Sequence, residues 1–251
     1  MQTTAFTSFD SLGVSPTLLR NLTKAGFAEP TANQAQAIPH ALAGRDVLGC
    51  AQTGTGKTAA FVIPMLERLS GTPKGQPRAL ILAPTRELAI QIQATIDTLG
   101  RDLQLFATTV VGGADMQAQV RGLRQRPDII VATPGRLLDH MWNGTISLLA
   151  MSILVLDEAD RMLDMGFLPD VRRILEKCPR QRQTSLFSAT IPPAIETLIQ
   201  WAMQNPETVE IGARRTPAET VKHVIYPVSD TQKTDLLVAL AIVVGLVGTV
   251  L

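Results

Sequence analysis

The sequence has few cysteines, no excess of either charge and no hydrophobic run long enough to span a bilayer. Its two cysteines, Cys50 and Cys178, exclude a disulfide scaffold and a four-cysteine zinc site. Both are expected as buried thiols in a reducing compartment. With 23 Lys+Arg against 22 Asp+Glu and a net charge of +1, charge alone cannot hold the chain to nucleic acid, which leaves only a local basic patch. The opening residues, Met1–Ala5, show no basic stretch followed by an apolar run, so no secretory signal and a cytoplasmic location are expected. From Leu236 to Leu251 there is no charge, but the run falls short of the roughly 18–20 residues a spanning helix needs. A helix or strand buried against partners beyond the end of this chain is expected there, not a membrane anchor. Trp142 and Trp201 fit no catalytic pattern and are expected to pack internally. Repeats and low-complexity tracts are absent too.

What is present is an alternation of two periods. At 45% apolar residues over 251 positions, the chain can bury a core. Val47-Leu48, Ala79–Ala83, Ile129–Ala132 and Ile153–Leu156 are short continuous apolar runs, as in strands buried on both faces of a parallel sheet. Between them, Phe61, Val62, Met65, Leu66 and Leu69 recur at helical spacing, as do Leu88, Ala89, Ile92, Ile96 and Leu99. The pattern implies an α/β fold, a mostly parallel sheet with helices on both faces. Ligands of such sheets bind beyond the carboxyl ends of the strands, and the polar motifs of this chain fall there.

Ala51-Gln52-Thr53-Gly54-Thr55-Gly56-Lys57-Thr58 follows one strand and opens a helix. Glycines let successive N–H groups converge on phosphate oxygens, and the helix N-terminus favours negative charge. Lys57 is placed to reach the β- and γ-phosphates of ATP, and Thr58 to ligate Mg²⁺. The general phosphate-loop pattern opens with Gly, and Ala51 departs from it. Asp157-Glu158-Ala159-Asp160 follows Ile153–Leu156 directly. Asp157 is expected to hold Mg²⁺ and Glu158 to orient and deprotonate an attacking water; phosphoryl transfer needs mainly positioning and charge neutralisation.

Together these motifs resemble the DEAD-box RNA helicases, with the likeness running from about Phe9 to Tyr226. The alanine at the head of the phosphate loop is that family's form. Gly26–Gln34 is similar to its Q motif, with Phe9 at the upstream aromatic position. The resemblance implies a RecA-like P-loop fold, with Gln34 reading the adenine edge and Phe9 packing on the base. An amide offers donor and acceptor together, which suits adenine. Asn33 and Ala32 depart from the usual residues. Pro84-Thr85-Arg86, Gly112-Gly113 and Thr133-Pro134-Gly135-Arg136 also match family motifs, which implies sequence-independent contacts to RNA backbone. Ser188-Ala189-Thr190 matches the motif that, with Asp160, links nucleotide state to strand separation. Taken without that context, Ser188 and Thr190 could simply cap a helix before Pro192, and Glu87 could be structural. The run Asp157–Phe167 looks most like the bacterial RhlE-type subgroup.

The expected organisation is a RecA-like ATP-binding domain over residues 1–211, a linker over 212–220, and over 221–251 the truncated start of a second domain with an atypical apolar tail. The family's second RecA-like domain supplies further RNA contacts and transition-state arginines, so this chain is expected to be a monomer that binds nucleotide without unwinding duplexes alone. The alternative is an isolated RNA- or partner-binding domain without turnover.

Overall fold

The computed structural model describes residues 8–50, 55–210 and 226–248. Ala51, Gln52, Thr53 and Gly54 of the expected phosphate loop, the expected linker at 212–220 and the last three residues lie outside the described residues. The chain divides into two units, Met1–Gly212 and Ala213–Leu251.

The first unit starts with two helices, α1 (Pro16–Lys24) and α2 (Ala32–Leu42), and then alternates strand and helix: β1 (Val47–Cys50), α3 (Lys57–Leu69), β2 (Ala79–Leu82), α4 (Arg86–Leu99), β3 (Ala107–Val110), α5 (Met116–Arg124), β4 (Ile129–Ala132), α6 (Pro134–Trp142) and β5 (Ile153–Leu156). Two helices, α7 (Ala159–Asp164) and α8 (Leu168–Leu175), precede β6 (Gln183–Ser188), which α9 (Pro193–Ala202) connects to β7 (Glu207–Glu210). All pairings are parallel, in the order β3-β4-β2-β5-β6-β1-β7.

Side chains of a strand alternate between faces, and each face here has its own core. Ile81, Val131, Val155 and Phe187 pack with α1 to α4, whereas Leu80, Ile130, Leu154 and Leu186 pack with α5 to α9. That is why the strands read as continuous apolar runs: β2, β4 and β5 are buried at every position. Gly49 of β1 stands opposite Phe187 of β6, and a Cβ on it would lie 2.4 Å from the Phe187 ring; the missing side chain admits the aromatic one.

Polar groups pin the ends where strands begin. Arg78 and Asp128, just before β2 and β4, form a buried ion pair at 2.5 Å, and Asp128 also accepts from Phe106 N–H at 3.0 Å. Asp46 accepts from the Thr184 and Gln204 N–H groups at 2.7 and 2.6 Å.

Three expectations need correction. Cys178 is buried, but Cys50 is only half-buried. Trp142 and Trp201 do not pack internally: they are 70% and 49% exposed, because both sit at the far ends of helices whose buried positions are taken by Leu137, Leu138, Ile195 and Leu198.

In the second unit, α10 (Lys233–Gly248) carries the apolar run, with Leu237 and Val238 exposed. Among the described residues, no helix is long and apolar enough to cross a membrane.

Candidate nucleotide and RNA-backbone sites

In a parallel sheet all carboxyl ends share one edge, so strand order decides which motifs are neighbours. The expected phosphate loop follows β1, the acidic motif follows β5 and Ser188–Thr190 ends β6; β5, β6 and β1 are adjacent. Pro84–Arg86 follows β2, Gly112-Gly113 follows β3 and Thr133–Arg136 follows β4, and these strands are adjacent on the other half of the edge. The sheet thus sorts motifs that are interleaved in sequence into two groups.

In the first group, Lys57 opens α3 and is 7% exposed, while Asp157 is 2% exposed. Burial pushes the Asp157 carboxyl up to about 6, against the opposing pull of the Lys57 ammonium. Its Oδ1 accepts from Glu158 N–H at 3.0 Å. Glu158 adopts a left-handed backbone at φ 51°, a conformation uncommon for a residue with a side chain and found at functional sites. The Arg161 guanidinium donates to Glu158 Oε2 at 3.2 Å. Arg161 is a contact that the sequence motif did not disclose. Thr58, half-buried, is the residue after Lys57 in α3. A carboxylate and a hydroxyl are the hard oxygen donors Mg²⁺ prefers, and a carboxyl whose charged form is penalised by burial is one that a nearby cation would relieve. The residues fit that ion.

The Q-motif residues seat the end of the phosphate loop. Thr31 and Gln34 form a capping box at the start of α2. Beyond it, Thr31 Oγ1 donates to Thr55 O at 3.1 Å and Gln34 Nε2 donates to Gly56 O at 3.1 Å. Gly56 has φ 82°, and a Cβ there would lie 2.5 Å from Gln34 Nε2, so both conformation and space demand glycine. Both ends of the Gln34 amide are therefore engaged by protein, Oε1 accepting from Thr31 N–H at 3.0 Å, a role that the sequence had not suggested. Phe9 is 4% exposed and meets Phe27 edge-on at 6.4 Å; it forms part of the core wall. Asn33 is 1% exposed, and neither amide atom has a partner.

Ser188 and Thr190 do not cap α9, whose first turn has no side-chain cap. They turn to the acidic motif. Thr190 N–H and Oγ1 donate to Asp160 Oδ2 at 2.9 and 3.0 Å, and Asp160 N–H donates to Ser188 Oγ at 3.1 Å. The ends of β5 and β6 are thereby tied together.

The second group converges on one loop. Arg86 donates to Gly113 O at 3.1 Å and Arg136 to Ala114 O at 2.9 Å. Gly112 N–H donates to the Thr133 hydroxyl at 3.3 Å. Thr85 caps α4 through Leu88 N–H. Pro84 is buried, whereas Arg86, Gly112 and Gly113 are exposed and Gly135 is half-buried with no atom within 4 Å of where its Cβ would stand. Behind the loop, His140 is fully buried. Its Nε2 meets Gln119 Oε1 at 3.2 Å, and Gln119 Nε2 donates to Val111 O at 2.9 Å. Burial lowers the His140 pKa, with the Arg136 charge adding to that effect. His140 and Gln119 carry no motif, so only their contacts identify them.

Among the described residues, no cluster of three or more His, Cys, Asp or Glu could hold a metal by protein ligands alone.

The sequence matches the family described as DEAD/DEAH box helicase over residues 31–198. It is 45% identical over 232 residues to the ATP-dependent RNA helicase CshA of Limosilactobacillus reuteri, covering 92% of this chain and 46% of that protein. To the ATP-dependent RNA helicase DeaD of Buchnera aphidicola it is 44% identical, covering 92% of this chain and 38% of the relative. The chain thus spans about half the length, or less, of these curated relatives. Among solved structures, a DEAD box protein from the hyperthermophile Methanococcus jannaschii superposes with a TM-score of 0.77 at 38% identity, over 81% of this chain and 55% of the other.

Proposed function

We propose, from the premise that this chain belongs to the DEAD/DEAH box helicase family, that it is the nucleotide-binding core of an ATP-dependent RNA helicase. The observation that carries the proposal is the burial of Lys57 and Asp157 together, a cation at the start of α3 and a carboxyl just after β5, at the carboxyl edge of the sheet.

On this proposal Ala51–Thr58 cradles the phosphates of ATP, with Lys57 neutralising the charge of the β- and γ-phosphates. Thr58 and Asp157 hold Mg²⁺, which neutralises further phosphate charge when bound. Glu158, fixed by its left-handed backbone and by Arg161, takes the proton of the attacking water. Gln34 and Phe9 serve the adenine, Gln34 while also bracing Gly56. RNA backbone lies across Pro84–Arg86, Gly112-Gly113 and Thr133–Arg136, where exposed arginine and loop N–H groups suit phosphate and carry no base information. The bond from Thr190 to Asp160 and that from Asp160 N–H to Ser188 make nucleotide state felt at β6. The run Asp157–Phe167 is the sole support for an RhlE-type subgroup. A cytoplasmic location, where both ATP and RNA are available, belongs to the same reading.

Transition-state arginines come from a second RecA-like domain on this proposal, and a missing arginine finger costs about 10³–10⁵ in rate. The test is Mg²⁺-dependent ATP binding and turnover by the chain, with and without single-stranded RNA, beside Lys57→Ala. The expected result is nucleotide binding that Lys57→Ala abolishes, with negligible turnover until a second domain from a full-length relative is joined. RNA-stimulated turnover by the chain alone would refute the need for that domain. Binding indifferent to Lys57→Ala would refute the ATP site itself.

A further inference from the structure

The edge of the sheet opposite the motifs carries an unassigned surface. Of the large apolar side chains exposed where strands begin, three line adjoining grooves: Trp142 at 70% and Leu149 at 78%, both ahead of β5, and Trp201 at 49%, ahead of β7. Trp142 and Leu149 border a groove of about 550 Å³ whose floor includes Leu138, Met141 and Ile146. Trp201 borders a second groove of about 570 Å³, and the two share Glu176 and Cys178. Exposed apolar side chains grouped in this way mark interaction sites on soluble proteins. Cavities of this size suit a few inserted side chains.

The rim is charged and predominantly basic. Arg173 and Lys177 border the first groove, Arg180 and Arg182 the second, against the single acid Glu176. Arg173 is engaged by Asp170 at 3.3 Å, and Arg182 donates to the carbonyls of Pro179 and Ala202. The side chains of Lys177 and Arg180 are exposed and have no ion-pair partner among the described residues. Single-stranded RNA could set its phosphates on the rim but would leave the aliphatic floor without a partner, since a base offers a stack on one ring and no apolar side chain to insert. A peptide with apolar anchors fills the floor, and carboxylates beside those anchors meet the rim.

We propose that this face docks an acidic, apolar peptide segment of a partner protein, at the pole of the domain away from the motif edge. Because strands are parallel and their beginnings and ends lie on opposite edges, docking there leaves both motif groups open. The proposal stands apart from the nucleotide assignment.

The chain's two tryptophans border one groove each, so their fluorescence reports occupancy. The intact chain is titrated with a synthetic amphipathic peptide bearing leucines at i, i+3, i+4 and i+7 with glutamates between them. The same leucine peptide carrying lysines, and oligouridylate RNA, serve as comparison titrants. Saturable binding of the glutamate peptide is expected, about tenfold or more tighter than the lysine peptide at low salt, since like-charge contacts oppose association. Leu149→Asp, at an exposed position that the fold does not use, should abolish it. Lys177→Glu together with Arg180→Glu should reverse the preference between the peptides. Equal affinity for both peptides, a preference that survives the reversal, tighter binding of oligouridylate, or no saturable change would each overturn the proposal.

Discussion

Asp157 illustrates how one residue ties stability to chemistry. Burial raises its carboxyl to about 6, so the folded state holds a proton that the unfolded chain releases near pH 4. Stability therefore falls as the pH rises from about 4 to about 6, by on the order of 3 kcal/mol, and the loss persists at neutral pH. Asp157→Asn removes the penalty: urea unfolding at pH 7 should show a more stable protein that no longer binds Mg²⁺–ATP productively. In the unmodified chain, Mg²⁺–ATP affinity should weaken as the pH drops through 6, because the neutral carboxyl attracts no cation. Asn33 presents a simpler case. Its buried amide has no partner, and an unsatisfied buried polar group costs about 1–3 kcal/mol. Asn33→Leu should raise the melting temperature and leave nucleotide affinity unchanged; a lower melting temperature would show that the amide is needed.

At the scale of elements, contacts between neighbours set the loops. The His140–Gln119–Val111 chain braces the loop that Arg86 and Arg136 hold from the front. His140→Ala strands a buried amide and should lower stability by about 1–3 kcal/mol. It should also weaken RNA binding several-fold while sparing nucleotide affinity, which filter binding and a fluorescent-nucleotide titration would separate. The tie between β5 and β6 predicts another split. Thr190→Ala removes the hydroxyl bond to Asp160, so in a two-domain version ATP binding should persist while RNA-stimulated turnover falls. Unchanged stimulation would show that the bond has no part in coupling. Much of this level could be seen in the sequence: helices start at Thr31, Thr85 and Thr133 because a hydroxyl or proline stands there, and the strands coincide with apolar runs. The pairing of Gln34 with Gly56 could not, since both motifs are complete without it.

For the whole molecule, the sheet is held where its strands begin as well as where they end. Arg78 and Asp128 bind β2 to β4 in a buried ion pair. Removing one partner leaves an uncompensated charge, so Arg78→Ala should cost about 3–5 kcal/mol, and replacing both residues with apolar ones should recover most of it. Denaturant midpoints of the single and double variants would check this.

The sequence by itself determined the α/β class, the parallel sheet and the identity of the motif residues, because burial on both faces, helical spacing and phosphate chemistry each leave a local pattern. Only the tertiary structure decided which motifs adjoin, since the order β3-β4-β2-β5-β6-β1-β7 is a matter of crossover connections and not of any residue's neighbours in the chain. It also decided the environment of single side chains. Trp142 and Trp201, for which internal packing is expected, lie outside, and burial holds the Asp157 carboxyl up at about 6, because exposure and desolvation are set by what packs against a residue from distant parts of the chain.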